Sequence, residues 1–156
     1  MIETLRVDDN LLHGQVAFSW VRNLKIHMIV IADDKVIKDE FAKMTLGLSK
    51  PPGVTLKIMS VEDAIVFLHE NRESKMNIMA IVNSIANAKR ILDNFDGLHS
   101  MNIGLLRTAQ EVVLKHENTY LNEADLETCR ELIQRGIDIE IRLRYDDDKV
   151  FLKDLL

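Results

Sequence analysis

Residues 26–32 read IHMIVIA. The run is strongly β-forming and apolar almost throughout, as a strand covered on both faces must be. A second run of the same kind, NIMAIVN, occupies residues 77–83. The segments around these two decide what covers them. IETLRV (2–7) reads as a short strand ending at Val7. In HGQVAFSWVRNL (13–24), Val16, Trp20 and Leu24 recur at helical spacing with Ala17 and Val21 beside them. Asp33-Asp34 opens a helix expected to run toward Leu48. VTLKIM (54–59) is a strand, and Ser60-Val61-Glu62-Asp63 resembles a capping box for a helix through His69. A helix over 86–95 is closed by Gly97, and MNIGLL (101–106) is a further strand. Part of EVVLKHENTYL (111–121) reads as strand. NEADLETCRELIQRG (122–136) is a helix with Asn122 as N-cap and Gly136 just past its end. IDIEIRL (137–143) alternates and closes the sheet as an edge strand.

Strands alternating with helices build βαβ units. The expected fold is α/β: an open, mostly parallel twisted sheet with helices on both faces. No repeat, low-complexity tract or linker divides residues 1–156, so a single domain is expected. In such folds ligands sit beyond the carboxyl ends of the strands.

Hydrophobic residues make up 47% of the chain and charged residues 29%, an ordinary globular balance. A net charge of −5 argues against a general nucleic-acid binder. One cysteine, Cys129, permits no intramolecular disulfide and no CxxC motif. The start, MIETLRVDD, lacks an apolar signal core, and no apolar run is long enough to span a bilayer. A cytoplasmic location is expected, with membrane contact only through a partner.

The chemistry concentrates in VDDNLLHGQV, residues 7–16, between the first strand and the first helix. A neutral imidazole is a nucleophile near pH 7, and a helix N-terminus favours anions. His13 therefore sits where a phosphoryl group on the ring would be stabilised. Asp8 or Asp9 can orient the ring through one nitrogen and leave the other free to attack. Gly14 removes a side chain beside the ring. Arg6 can reach a phosphate or pair with an aspartate. The bland alternative is a capping histidine preceded by turn aspartates. A metal site on Asp8, Asp9 and His13 has no HExxH or EF-hand pattern behind it, and no Walker or GxGxxG loop occurs. No metal and no cofactor are expected. His27, His69, His99 and His116 are isolated and read as structural or surface residues. Cys129 reads as buried and inert, Trp20 as core, and Asp146–Asp148 as a solvated turn.

Taken together, LRVDDNLLHGQVAFSW (5–20) resembles the start of IIB components of the mannose/fructose/sorbose family of the bacterial sugar phosphotransferase system. The family pattern is close to R-[IV]-D-[DE]-R-L-[IL]-H-G-Q-V, with a tryptophan a few residues on. Arg6, Val7, Asp8, Asp9, Leu11, Leu12, His13, Gly14, Gln15, Val16 and Trp20 match it. The likeness continues through MIVIADD, SKPPGVTLKIMSVEDAI, MNIGLL and LIQRGIDIEIR. The resemblance implies a phosphohistidine–sugar phosphotransferase component. His13 would take a phosphoryl group, by its δ1 nitrogen, from the phosphohistidine of a IIA domain. It would pass the group to sugar entering through membrane IIC/IID partners. Arg6, Asp8, Gly14 and Gln15 would support it. A homo-oligomer is compatible with this role.

Two departures stand out. Asn10 occupies the place of the family arginine, which is well placed to steady the transferred phosphate. Gly104 is followed by Leu105-Leu106 rather than a second glycine, and then by Arg107, which either restores a cation near the site or simply faces solvent. They leave a second reading open, a divergent IIB-like regulator that binds a phosphorylated partner or a sugar phosphate with weak or no transfer.

Overall fold

The structure, a computed structural model, describes residues 1–156. In chain order the elements are β1 (Ile2–Val7), α1 (Gly14–Leu24), β2 (Met28–Ala32), α2 (Glu40–Leu48), β3 (Thr55–Met59), α3 (Val61–Glu70) and β4 (Ile78–Val82). They continue with α4 (Ile85–Asn94), β5 (Ser100–Ile103), β6 (Leu114–His116), β7 (Thr119–Leu121), α5 (Glu123–Gln134), β8 (Asp138–Ile141) and β9 (Val150–Phe151). Seven strands form one sheet in the order β3-β2-β4-β1-β5-β8-β9, parallel except for β9. The expected open parallel α/β fold is what the chain forms.

The two apolar strands read first, β2 and β4, are fully buried and lie side by side. Their alternate residues serve two cores. Ile29, Ile31, Met79 and Ile81 pack with Val16, Ala17 and Trp20 of α1 and Leu46 of α2. Met28, Val30, Ile78 and Ala80 pack on the other face with apolar residues of α3, α4 and α5. The cap residues of three helices bond as side-chain acceptors should: Ser60 from the Asp63 amide, Ser84 from the Asn87 amide and Asn122 from the Asp125 amide.

Two expectations need correction. The helix from Asp33 to Leu48 is broken. A short 3₁₀ turn at Val36–Lys38 is followed by extended backbone at Asp39, which caps α2. Asp33 causes the early turn, because its Oδ1 accepts from the amides of both Lys35 and Val36 at 2.9 Å. Part of 111–121 is strand, as expected: β6 and β7 pair with each other as a separate hairpin. The edge strand is β9, not β8. β9 returns antiparallel along β8 and covers it.

Cys129 is fully buried on α5, and burial pushes its thiol up to about 12. Thiolate is the reactive form. The native protein is therefore expected to resist iodoacetamide at pH 8 and to react once unfolded in guanidinium. Rapid labelling of the native chain would contradict this packing.

Candidate functional site

The order of the strands places β1 between β4 and β5. The chain leaves its carboxyl end at Val7 and must turn into α1. Asp8 makes that turn. Its amide donates to the Val82 carbonyl (2.9 Å), its carbonyl accepts from Leu11, and its Oδ1 accepts from the Asn10 amide at 2.9 Å. Leu11 takes a left-handed conformation with φ of 58° while its side chain stays buried. Such a conformation costs energy for a residue with a Cβ and needs surrounding contacts to hold it. Leu11 and Leu12 supply them, anchoring the loop in the core beneath α1.

His13 is the N-cap of α1, and its side chain does not cap the helix. The amides of Gly14, Gln15 and Val16 have no intrahelical acceptor, since the first helical bond runs from Ala17 to the His13 carbonyl. No acidic residue lies in the first turn. The imidazole, with 34% of its side chain exposed, stands 3.2 Å through Nε2 from Oδ2 of fully buried Asp8. An ionised carboxylate only accepts, so Nε2 carries a proton opposite it and neutral His13 keeps its lone pair on Nδ1.

Asp8 is itself held. Arg6 Nη2 donates to Oδ2 at 3.0 Å, and both side chains are withdrawn from water. Burial pushes the Arg6 guanidinium below its ordinary range, and the neighbouring Asp8 carboxylate pulls it back up. Of the two roles open to Arg6, the structure shows the pairing with an aspartate. Its Nη1 meets Asn102 Oδ1 and, at 3.5 Å, the Arg142 carbonyl.

The other candidates separate. Asp9 does not join the histidine. Its carboxylate accepts from the amides of Arg107 and Thr108 and from the Thr108 hydroxyl, tying the loop after β5 to the loop before α1. Asp8, Asp9 and His13 thus do not gather as a donor set for a metal. Arg107 is exposed, makes no ion pair, and lies 5.8 Å from the centre of the Tyr120 ring. Asn10 and Gln15 are exposed. A Cβ on Gly14 would meet only the Ser49 carbonyl oxygen, at an ordinary 3.6 Å. Packing does not demand that glycine, which suits the expected clearance beside the ring. Gly14 and Gln15 border a shallow depression of about 340 Å³ whose rim carries exposed Phe18 and Leu48.

The isolated histidines do structural work where they bond. His27 Nδ1 accepts from the Asn77 amide, and His69 Nε2 bonds the Asn94 carbonyl. Trp20 is buried, as expected, with its Nε1 donating to the Leu143 carbonyl at 3.0 Å. Sequence reading missed Asn102, Arg142 and Thr108. A signal existed for Asn102. Arg6, Asn102 and Glu140 are polar residues each flanked by apolar ones, and the register across β1, β5 and β8 puts them on one face.

Fold and site together define a parallel α/β domain centred on one oriented imidazole at the carboxyl end of its central strands. The chain belongs to the sorbose subfamily of phosphotransferase-system IIB components, whose family model, "PTS system sorbose subfamily IIB component", matches residues 2–156. It is 40% identical over 103 residues to a probable phosphotransferase enzyme IIB component of Streptococcus pyogenes, covering 66% of this chain and 63% of that one. It is 28% identical to the mannose-specific EIIAB component of Escherichia coli K12 over 100% of its own length. The chain spans 48% of that relative, about half. The crystal structure of the IIB domain of the Klebsiella pneumoniae sorbose permease has the same fold. It superposes with a TM-score of 0.90 at 24% identity, covering 99% of this chain and 94% of that one.

Proposed function

We propose that the chain is a phosphocarrier: it takes a phosphoryl group onto His13 Nδ1 from a IIA phosphohistidine and delivers it to a sugar. One observation carries this reading, the buried Asp8 carboxylate facing Nε2. It selects the tautomer with a free Nδ1 lone pair. Attack forms the Nδ1–phosphorus bond and breaks the phosphorus–nitrogen bond to the donor ring, which recovers the electron pair. Transfer of this kind needs chiefly positioning and charge stabilisation. The unpaired amides at the start of α1 and an uncompeted helix dipole supply part of that.

The donor is a IIA domain and the acceptor side is a membrane IIC/IID permease. The EIIAB composition of the mannose-specific relatives supports the first. No helix is long and apolar enough to cross a membrane, which suits a partner-held place on the cytoplasmic face. Arg107, free of ion pairs and fastened beside Asp9, is the cation we assign to the transferred phosphate. Gln15 offers a neutral amide at the same helix mouth.

The test is direct. With phosphoenolpyruvate, the general phosphotransfer proteins and a matching IIA domain, wild type takes up acid-labile phosphate on His13, and His13→Ala takes up none. Absence of label with a IIA domain active on another IIB would overturn the proposal.

Asn10 favours the second reading, a regulator with weak transfer, because it is exposed and leaves the loop without the family charge. A charge-assisted contact contributes about 1.5–3 kcal/mol, roughly tenfold in rate or more. Asn10→Arg is therefore expected to raise the transfer rate about tenfold. An unchanged rate, measured in single turnover, would show that charge at this position does not limit transfer.

A further inference from the structure

We propose that Asn102 is a positioning residue for the His13 ring, acting through Arg6 and Asp8; the proposal rests on reading His13 as the phosphoryl acceptor. Asn102 lies on β5 beside Arg6 of β1. It is 1% exposed, Arg6 2% and Asp8 0%. Its Oδ1 accepts from Arg6 Nη1 at 2.5 Å, and its Nδ2 donates to the Arg142 carbonyl at 3.0 Å. That second bond determines which way the amide points. The oxygen must face Arg6, because the nitrogen is already engaged by a backbone acceptor.

The consequence passes along the guanidinium. Its two terminal nitrogens are rigidly coplanar, so an acceptor fixed at Nη1 fixes Nη2. Nη2 donates to the same Asp8 oxygen that faces His13 Nε2. The guanidinium is hemmed in as well. Trp20 lies 5.3 Å away, and Gly104 supplies a floor with no side chain. Without Asn102, Nη1 keeps only the Arg142 carbonyl at 3.5 Å, a marginal contact. Arg6 then rocks, Asp8 Oδ2 moves with it, and the preference for protonated Nε2 weakens. Asn102 touches neither the ring nor the phosphate, so its effect is on the reactive tautomer and not on partner binding.

The imidazole nitrogens report this directly. In wild type at pH 8, ¹⁵N NMR is expected to show His13 with a pyrrole-type Nε2 and a pyridine-type Nδ1. Asn102→Ala is expected to move both shifts toward a tautomer mixture. It should also lower the single-turnover rate from phosphorylated IIA about tenfold and leave KM for the IIA domain unchanged. Asn102→Asp, close in shape, keeps an acceptor toward Arg6 and loses the donor to Arg142. It also divides Arg6 between two carboxylates, and should shift the same resonances. Near-ultraviolet circular dichroism checks that each variant is folded. A folded variant of either kind with wild-type His13 shifts and rate overturns the proposal. So does wild-type His13 protonated at Nδ1, a result that depends on no variant folding. The tautomer is read without any transfer, so a wild type that accepts no phosphate would refute the carrier reading separately.

Discussion

Asp8→Asn is expected to lower phosphoryl transfer to His13 by about two to four orders of magnitude, with the fold retained. The effect is tautomeric. Asp8 Oδ2 lies 3.2 Å from His13 Nε2 and 3.0 Å from Arg6 Nη2. One oxygen serves both Arg6 and the ring and the other serves the Asn10 amide, so either orientation of an asparagine sets its NH₂ against a donor. With the NH₂ on Nε2 that nitrogen needs a lone pair, which moves the ring proton to Nδ1 and removes the nucleophile. With the oxygen there, a neutral amide holds the Nε2 proton less firmly than a carboxylate does. The same exchange in the Ser-His-Asp triads of hydrolases costs about 10⁴ through the wrong tautomer. The variant also leaves a buried guanidinium without its counter-charge, which costs about 3–5 kcal/mol. The two effects are separable. Transfer is measured in single turnover below the melting transition, and stability by urea denaturation. A folded Asp8→Asn protein with wild-type transfer would remove Asp8 from the chemistry and with it the tautomer argument.

The legibility of this protein divides along the sheet. Strands β2 and β4 are apolar on both faces, and their sequences alone require two covering layers. The helix caps Ser60 and Asn122 were equally legible, because capping is a local interaction within four residues. His13 was legible as a candidate from its strand-to-helix position and, as an acceptor, from the family resemblance. What lay hidden depends on distant pairings. Asn102 and Arg142 reach Arg6 from 96 and 136 residues away, and no local pattern states which strand adjoins which. The break at Asp39 was hidden for the opposite reason. An aspartate two residues ahead of an amide can start a helix or close a turn, and Asp33 does the second.

The face of the sheet under α1 is thus two surfaces. Its β2–β4 half is apolar. Its β1–β5–β8 half carries Arg6, Asn102, Glu140 and Arg142 beneath Trp20 and Tyr145. A buried charged cluster is expensive and tends to lower stability relative to apolar packing. Its retention beside the one oriented imidazole suits a role in holding that ring, since loss of one member leaves the rest uncompensated. Trp20 closes the cluster from above, with Arg142 4.8 Å from its ring centre and the Tyr145 ring edge-on at 5.4 Å.

Gly104→Ala tests that cluster from below and is expected to destabilise the protein by about 3–5 kcal/mol. The added Cβ would overlap Arg6 Nη2 and Cζ and stand 2.8 Å from Nη1. Arg6 has no direction in which to yield. Asp8 and Asn102 hold its two ends, and the Trp20 ring centre lies 5.3 Å from its Cζ. Overpacking alone costs about 1–3 kcal/mol, and the remainder comes from forcing Arg6 off Asp8. The cause is distinguishable from a general intolerance of the β5 turn, because Gly104 does not require a positive φ. Arg6→Leu removes the guanidinium and is destabilising by itself, through the unpaired Asp8. In the double variant, alanine at 104 meets a shorter, branched side chain and no bound charge. The two changes are therefore expected to be non-additive, with a coupling of at least about 1 kcal/mol in urea melts. Fluorescence of Trp20, the chain's one tryptophan, follows the guanidinium in the same experiment. Strict additivity, with unperturbed Trp20 emission in Gly104→Ala, would show that the glycine serves the loop and not Arg6.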